Sequence, residues 1–216
     1  MTSLRSPSRF TLVLLGLFVL VSGMVVAGVT LPWDEALLRA IGSSRQPGRT
    51  DLMLAFTLAG SGLFSVPMAL GIALLLWRLG RGVWATRYIL AGVSGELLYA
   101  LLKLGFHRTR PSLIPRLSDA GWFSYPSGHA MMAPVIWTLG FLLLARAIQH
   151  RLAGWILTAI ALVTPIAIAF SRVYLGVHYP SDVLGALFLG GAWVIWWWPM
   201  SSDARRASTS ASPAIS

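Results

Sequence analysis

Residues 152–170 read LAGWILTAIALVTPIAIAF, a run of 19 residues without a charged side chain. An α-helix rises about 1.5 Å per residue, so about 20 apolar residues cross the hydrocarbon core of a bilayer, which is about 30 Å thick. This stretch therefore predicts a transmembrane helix. The fold class depends on how often the pattern recurs along the rest of the chain.

Three further uncharged runs of 22, 26 and 18 residues occur on either side, at residues 10–31, 52–77 and 183–200. Two weaker stretches have similar length. Residues 88–106 are interrupted by Glu96 and Lys103, and residues 129–145 begin with His129. We therefore predict an all-α polytopic membrane protein with six transmembrane helices in one bundle.

The composition agrees with this prediction. Of 216 residues, 56% are hydrophobic and 11% are charged, whereas soluble domains have about 25% charged residues. The links between the spans are too short for a separate soluble domain. We expect one membrane domain over residues 1–200 and a disordered polar tail, rich in Ser and Ala, over residues 201–216.

The first span resembles a signal peptide in one respect, because Arg5 and Arg9 precede it. Its apolar part exceeds the 7–15 residues usual for such a peptide, so we expect it to remain as an anchor. The chain has no cysteine, which excludes disulfides and thiolate metal sites.

The net charge of +10 does not indicate nucleic-acid binding. The 17 basic residues are dispersed, and no run of 5–8 residues is rich in Lys or Arg. Most lie at the ends of spans, where they favour anionic lipid headgroups. The expected partner is therefore a membrane, not nucleic acid.

The number of spans places the unusual polar residues on one face of the membrane. With six spans, the end of the third, the start of the fourth, the end of the fifth and the start of the sixth all lie on one face of the membrane. If Lys103, Arg110 and Arg172 are set aside, an inside N-terminus puts nine basic residues in inner segments and five in outer ones. The positive-inside rule then favours cytoplasmic termini and a site on the outer face of a bacterial inner membrane.

Three polar clusters occur at these span ends: KLGFHRTRP at 103–111, YPSGH at 125–129 and SRVYLGVHYPSD at 171–182. Pro111 disfavours helix at Arg110, which should lie in an extended loop. Ser127 is a candidate helix N-cap, followed by Gly128 and His129 in a first turn with free N–H groups, which binds phosphate readily. Pro180 suits a first helical turn, with His178 just before that helix and Asp182 inside it.

These residue types match the needs of phosphoryl transfer. Lys103, Arg110 and Arg172 supply three cations for phosphate oxygens. Two histidines supply a nucleophile and a proton donor. Asp182 can accept from one ring nitrogen of His178 and leave the other nitrogen free to attack. The nearby carboxylates are few, so we expect no metal and no cofactor.

The clusters resemble the type 2 phosphatidic acid phosphatase family, the membrane branch of a superfamily that includes the soluble vanadium haloperoxidases. The pattern of Lys six residues before Arg-Pro, then Pro-Ser-Gly-His, then Ser-Arg with His and Asp, occurs here in order and spacing. The resemblance implies that His178 is the nucleophile, which forms a phosphohistidine, that Asp182 orients it and that His129 is the general acid. It also implies a set of phosphate ligands: Lys103, Arg110, Ser127, Gly128 and Arg172.

Each cluster taken alone has an ordinary structural interpretation, such as a loop boundary or a snorkelling cation. Glu96, seven residues before Lys103, either supports a cation of the site or is a protonated acid buried between helices. His107 and Arg108 either contact the headgroup of a substrate or lie in a solvated loop, and we favour the loop. Residues 33–41 suggest a short interfacial helix, with Trp33, Leu37, Leu38 and Ile41 on one side.

The family resemblance indicates an integral membrane lipid phosphatase. Its candidate substrates are undecaprenyl diphosphate, phosphatidylglycerol phosphate and phosphatidic acid, with a slight preference for the polyprenyl diphosphate. A lipid phosphotransferase would use the same residues with a different acceptor. A non-catalytic anion transporter is disfavoured, because transporters place their polar site near mid-membrane and often contain repeats.

Overall fold

The structure is a computed structural model that describes residues 7–198. Within that range every regular element is a helix. The α-helices are α1 (Arg9–Val26), α2 (Leu31–Ser43), α3 (Pro47–Ala59), α4 (Gly62–Arg78), α5 (Gly82–Gly105), α6 (Gly128–Ala133), α7 (Gly140–Ile148), α8 (Arg151–Tyr174) and α9 (Pro180–Trp197). A π-helical segment, Pro134–Leu139, joins α6 to α7. The tail predicted at residues 201–216 lies outside the described residues.

Four helical stretches of the described chain are each long and apolar enough to cross a membrane: Arg9–Val26, Gly82–Gly105, Gly128–Ile148 and Arg151–Tyr174. The pair α3 and α4 meets the same criteria jointly, although the two helices are bent by 53°. The predicted all-helical membrane protein is therefore confirmed. Helix α9 corresponds to the sixth predicted span, and its first turn contains the polar residues Ser181 and Asp182.

The single helix expected over residues 52–77 is broken. Helix α3 ends at Ala59 and α4 begins at Gly62. A Cβ at Gly60 would lie 2.5 Å from Ile168 Cγ2 and 2.8 Å from His129 Cδ2. Glycine therefore allows the backbone to turn directly against the His129 ring, so the bend lies beside a predicted site residue.

Helix α2 is longer than predicted, and its faces differ from the prediction. Leu38 is fully buried, whereas Trp33 and Leu37 are exposed. Only part of the predicted apolar side therefore packs against the rest of the protein. The inner face of α2 instead combines Leu38 with Asp34, which also has no exposed surface.

The π-helical segment follows from Pro134, which has no N–H to donate. Backbone groups inside a membrane protein need internal partners. The Tyr88 hydroxyl donates to the Ile136 carbonyl at 2.8 Å, and the Thr138 hydroxyl donates to the Ala161 carbonyl on α8 at 2.7 Å. The irregular segment is thereby tied to its neighbours.

Helix α9 lies in the middle of the bundle and packs against both α1 and α6. A Cβ at Gly190 would lie 2.4 Å from the backbone oxygen of Met131 on α6. A Cβ at the adjacent Gly191 would lie 3.4 Å from Leu14 Cδ1 on α1, which is an ordinary contact. The α6–α9 contact is therefore between backbones, and only glycine permits it.

Gly190→Ala should destabilise the protein by about 1–3 kcal/mol, because the clash is with a backbone atom that no side-chain rotation can relieve. Gly191→Ala is the matched control, and it should be neutral or slightly stabilising because alanine favours helix. Thermal unfolding of both variants in one detergent measures the difference. Equal melting temperatures for the two variants would contradict the close α6–α9 packing.

Candidate active site

The predicted site residues come from four helix ends and two links. Lys103 and Arg172 lie in the last turns of α5 and α8. Ser127 is the N-cap residue of α6, which begins at Gly128 as predicted. Asp182 is in the first turn of α9, and Pro180 begins that helix. The structure adds one detail to the prediction, because α8 extends through Arg172 to Tyr174.

His178 is held between an acid and a cation. Its Nδ1 lies 3.4 Å from Asp182 Oδ2, and its Nε2 lies 3.0 Å from Nη1 of Arg110. Only 2% of the residue is exposed. With Nδ1–H directed to the carboxylate, the lone pair of Nε2 is directed to the side where Arg110 lies.

Burial lowers the pKa of His178 to about 4, although the hydrogen bond and charge of Asp182 oppose the shift, and Arg110 and Arg172 reinforce it. An imidazole with a lowered pKa is neutral above that value. His178 is therefore unprotonated at neutral pH, which is the form that can act as a nucleophile.

Asp182 is fully buried and saturated with donors. Its Oδ2 accepts from the Tyr179 N–H at 2.8 Å and from the Ser124 hydroxyl, in addition to facing His178. Its Oδ1 accepts from Nη1 of Arg108 at 2.6 Å. The orientation of the carboxylate is thus fixed from several directions.

The three predicted phosphate-binding cations are each held in place. Arg110 donates to three carbonyl oxygens, those of Val177 at 2.6 Å, Gly121 at 2.7 Å and Trp122 at 3.1 Å. Lys103 is only 3% exposed, and its Nζ donates to the Tyr99 hydroxyl at 2.9 Å. Arg172 donates from Nη1 to the Thr57 hydroxyl of α3. Lys103 also interacts electrostatically with Arg110, Arg172 and Asp182.

Two buried donors at this place lack a partner. Arg172 Nε and Ser127 Oγ have no hydrogen bond within the described part of the chain, and Ser127 is fully buried. The Ser127 side chain makes no capping bond, although the residue occupies the N-cap position. Buried polar groups in proteins almost always have partners. Two such donors without a partner are therefore available to a ligand that accepts from both of them. The oxygens of a phosphate group can accept from both donors.

His129 faces this cluster from α6. It interacts electrostatically with Arg172, His178 and Arg110, and it hydrogen-bonds to the backbone of Thr57. The two histidines therefore belong to one site, as the parity argument predicts. In residues 7–198, no three His, Cys, Asp or Glu side chains are grouped as metal ligands.

A largely apolar cavity of about 600 Å³ begins at His129 and Gly128 and extends between α4 and α5. Its other lining residues include Tyr99, Glu96, Val93, Ile89 and Leu70. We call this cavity the lipid groove. It connects a predicted catalytic histidine with the membrane-facing part of the bundle.

Of the two alternatives that the sequence suggested for Glu96, the structure excludes burial between helices and agrees with an electrostatic interaction with Lys103. Glu96 is exposed and lines the lipid groove, so it is not buried between helices. It interacts electrostatically with Lys103, but among residues 7–198 no hydrogen bond to it accompanies that interaction. Its place is therefore the wall of the groove, apart from the cluster of cations.

Residues 84–206, which include every predicted site residue, match the sequence model of the PAP2 superfamily. The chain belongs to the PAP2 superfamily. This confirms the family that the three motifs indicated. The match begins in α5, so α1 to α4 lie outside it, although α3 contributes the Thr57 contacts.

Similar proteins support the same assignment. The chain is 29% identical to phosphatidylglycerophosphatase B of Bacillus subtilis, over 80% of this chain and 85% of that protein. It is 32% identical to undecaprenyl-diphosphatase BcrC of Bacillus subtilis, over 54% of this chain and 58% of that protein. The crystal structure of a transmembrane PAP2-type phosphatidylglycerolphosphate phosphatase from Bacillus subtilis has a TM-score of 0.82 at 24% identity. The superposition covers 96% of this chain and 100% of that one, which shows a shared membrane PAP2 fold.

The sequence-based prediction was wrong for Arg108 and did not include Asp34. Arg108, expected in a solvated loop, has a side chain only 13% exposed and contacts Asp34 and Asp182. His107, by contrast, is exposed and packs edge-on against Phe123 at 4.5 Å. One signal was present for Asp34, because it is four residues before Leu38 and thus shares a helix face with a buried residue.

Proposed function

We propose that this PAP2 protein is a metal-independent lipid phosphatase that works through a phosphohistidine at His178. The main observation in favour of the proposal is that two buried donors of the described chain, Arg172 Nε and Ser127 Oγ, have no partner there and lie close to a neutral His178. A phosphate group placed there would also meet Lys103, Arg110 and the first-turn N–H of Gly128. These groups stabilise the charge on the transferring phosphoryl oxygens, which accounts for most of catalysis in such reactions.

In the first step, Nε2 of His178 forms a bond to phosphorus as the bond from phosphorus to the lipid oxygen breaks. His129 donates a proton to that oxygen, so the lipid leaves as an alcohol or, from a diphosphate, as a monophosphate. Asp182 accepts from Nδ1–H and stabilises the positive charge that develops on the His178 ring.

In the second step, His129, now neutral, accepts a proton from water. The water oxygen bonds to phosphorus, and the bond from phosphorus to Nε2 breaks. Inorganic phosphate is released, and His178 returns to its neutral form. The same residues thus serve both steps, with His129 as acid and then as base.

The lipid groove supports a lipid as the leaving group. Because the groove starts at His129, the leaving oxygen and the apolar chain attached to it lie on the same side of the site. The wall of the groove is largely apolar, which suits hydrocarbon chains that stay in the bilayer. The phosphate meets the cations while the tail remains between α4 and α5.

The candidate substrates are phosphatidylglycerol phosphate, undecaprenyl diphosphate and phosphatidic acid. The two Bacillus subtilis relatives are named for the first two of these. The greater coverage of phosphatidylglycerophosphatase B supports placing phosphatidylglycerol phosphate first, which reverses the slight preference drawn from the sequence. A phosphotransferase that passes the phosphoryl group from His178 to a second lipid remains the alternative.

We also propose six spans, formed by α1, the bent pair α3 and α4, α5, the stretch from α6 to α7, α8 and α9. Counted in this way, the site lies on the face opposite to both termini. The distribution of Lys and Arg supports cytoplasmic termini and a site on the outer face of a bacterial inner membrane.

The function is tested by phosphate release from purified protein in detergent, with a chelator present and one lipid phosphate at a time. We expect stoichiometric inorganic phosphate from at least one of the three lipids, unaffected by the chelator. Release that stops when the chelator is added would contradict metal independence. Loss of substrate without free phosphate, accompanied by a new phosphorylated lipid, would favour the phosphotransferase.

A further inference from the structure

Helix α2 carries a carboxylate where a surface helix would ordinarily place an apolar side chain. Asp34 has no exposed surface, although the neighbouring Trp33 is 52% exposed. Burial of an unpaired carboxylate is costly, so such a group is retained only with charged and hydrogen-bonding partners. The partners of Asp34 therefore indicate what the group does.

In the described part of the chain, two of the three hydrogen bonds to the Asp34 side chain come from Ser181 at the start of α9, and the third comes from Arg108. Asp34 Oδ1 accepts from the Ser181 N–H at 2.8 Å, and Oδ2 accepts from the Ser181 hydroxyl at 2.6 Å. Oδ2 also accepts from Nη2 of Arg108 at 2.7 Å. Ser181 directly precedes Asp182, so Asp34 fixes the backbone beside the residue that contacts His178.

Arg108 bridges two buried acids. Its Nη2 binds Asp34, and its Nη1 donates to Asp182 Oδ1 at 2.6 Å and to the Ser181 hydroxyl at 2.8 Å. Its guanidinium lies 4.2 Å from the centroid of the Tyr179 ring, which restrains it further. A planar guanidinium that binds two carboxylates fixes the orientation of both.

The two oxygens of Asp182 consequently have separate roles. Oδ1 is occupied by Arg108, and Oδ2 is left to face His178 Nδ1 and the Tyr179 N–H. If Oδ1 lost its partner, the carboxylate would be held only by the donors to Oδ2, the Tyr179 N–H and the Ser124 hydroxyl, and the hydrogen bond that selects the tautomer of His178 would be less firmly directed.

We propose that Asp34 and Arg108 are positioning residues that hold Asp182, and through it the reactive tautomer of His178. The pair makes α2, which lies outside the segment that matches the PAP2 superfamily, part of the machinery of the site. The proposal rests on the proposed function insofar as His178 is the nucleophile.

The test uses Asp34→Asn, Arg108→Gln and Arg108→Lys in the full-length protein. We expect kcat to fall about 10- to 100-fold in Asp34→Asn and Arg108→Gln, with KM within about threefold of the wild-type value, because phosphate binding is unchanged while the nucleophile is misaligned. Arg108→Lys should recover part of the loss, because it keeps the charge and loses the planar fork. The rate of phosphoenzyme formation in a single turnover should fall in parallel with kcat.

Glu35→Gln is the matched control. Glu35 is the next residue of α2; its side chain is 33% exposed and pairs with Arg39, whose side chain is 64% exposed. This variant should keep the wild-type kcat. Melting temperatures in detergent identify any variant that has not folded, and if Arg108→Gln is one of them, Arg108→Lys decides the matter.

A readout independent of turnover separates this proposal from the proposed function. The ¹⁵N spectrum of histidine-labelled protein, assigned with His178→Gln, reports which ring nitrogen of His178 carries the proton. We expect Nδ1–H in the wild type and a mixture of tautomers in Asp34→Asn and Arg108→Gln. Wild-type tautomer populations in both folded variants would overturn the positioning role, as would a loss confined to KM. A wild-type protein without phosphatase activity would overturn the proposed function alone.

Discussion

His178→Ala should lower kcat for every lipid phosphate by at least about a thousandfold, because it removes the proposed nucleophile of the covalent intermediate. The structure gives the reason. His178 Nε2 is the ring nitrogen that carries the lone pair once Nδ1–H faces Asp182, and burial keeps the ring neutral. KM should change little, since the phosphate-binding cations remain.

The measurement is rapid-quench trapping with a ³²P-labelled lipid phosphate. The wild type should show a burst of protein-bound label that is stable in base and labile in acid, as a phosphoramidate is. His178→Ala should show none. The control is His150→Ala, because His150 is an exposed histidine at the N-cap of α8, at the opposite end of that helix from Arg172. Labelled His178→Ala protein would place the nucleophile elsewhere.

His129→Ala should have the second-largest effect, and the size of that effect should depend on the leaving group. With a lipid alkoxide as leaving group, we expect a loss of about 10²- to 10⁴-fold, since general acid catalysis typically contributes that much. With an aryl phosphate such as p-nitrophenyl phosphate, the leaving oxygen needs no proton, so formation of the phosphohistidine should be nearly normal.

The same variant separates the two steps of the reaction. Without His129, no base activates water, so label from an aryl phosphate should accumulate on His178. Stopped-flow release of p-nitrophenol, followed by quantification of bound phosphate, tests this directly. An equal loss for alkyl and aryl substrates, without accumulation of bound phosphate, would show that His129 is not the proton donor.

The motifs predicted the local structure around the candidate site residues because each motif determines its own turn or helix end. Pro180 begins α9 and Ser127 precedes α6, as the sequence suggested, so the relation of His178 to Asp182 follows from a short stretch of chain. Parity then brings the clusters to one face without any knowledge of packing. These features depend only on neighbouring residues and on the number of spans, and both can be read from the sequence.

Other features depend on contacts between distant parts of the chain. Nothing local distinguishes Arg108 from a solvated arginine, because its burial results from Asp34, which lies 74 residues away in the chain. Gly60 and Ser61 are an ordinary pair in an apolar run, and the bend there depends on the close approach of His129 and Ile168. The sequence alone therefore could not predict which residues, besides the predicted site residues, contact Asp182 and the His129 ring.

The packing of α9 between α1 and α6 affects the order in which the molecule assembles during its synthesis. A chain emerging from the ribosome releases α1 before the other described helices, yet α9, which covers it, is the last of the described helices to be made. His178 and Asp182 are made at that same late stage, so a nascent chain that has reached only Arg172 holds the three predicted phosphate-binding cations without the predicted nucleophile. Contacts between such distant segments are slow to form. The candidate site is consequently complete only after α9 has been made and has packed against α1 and α6.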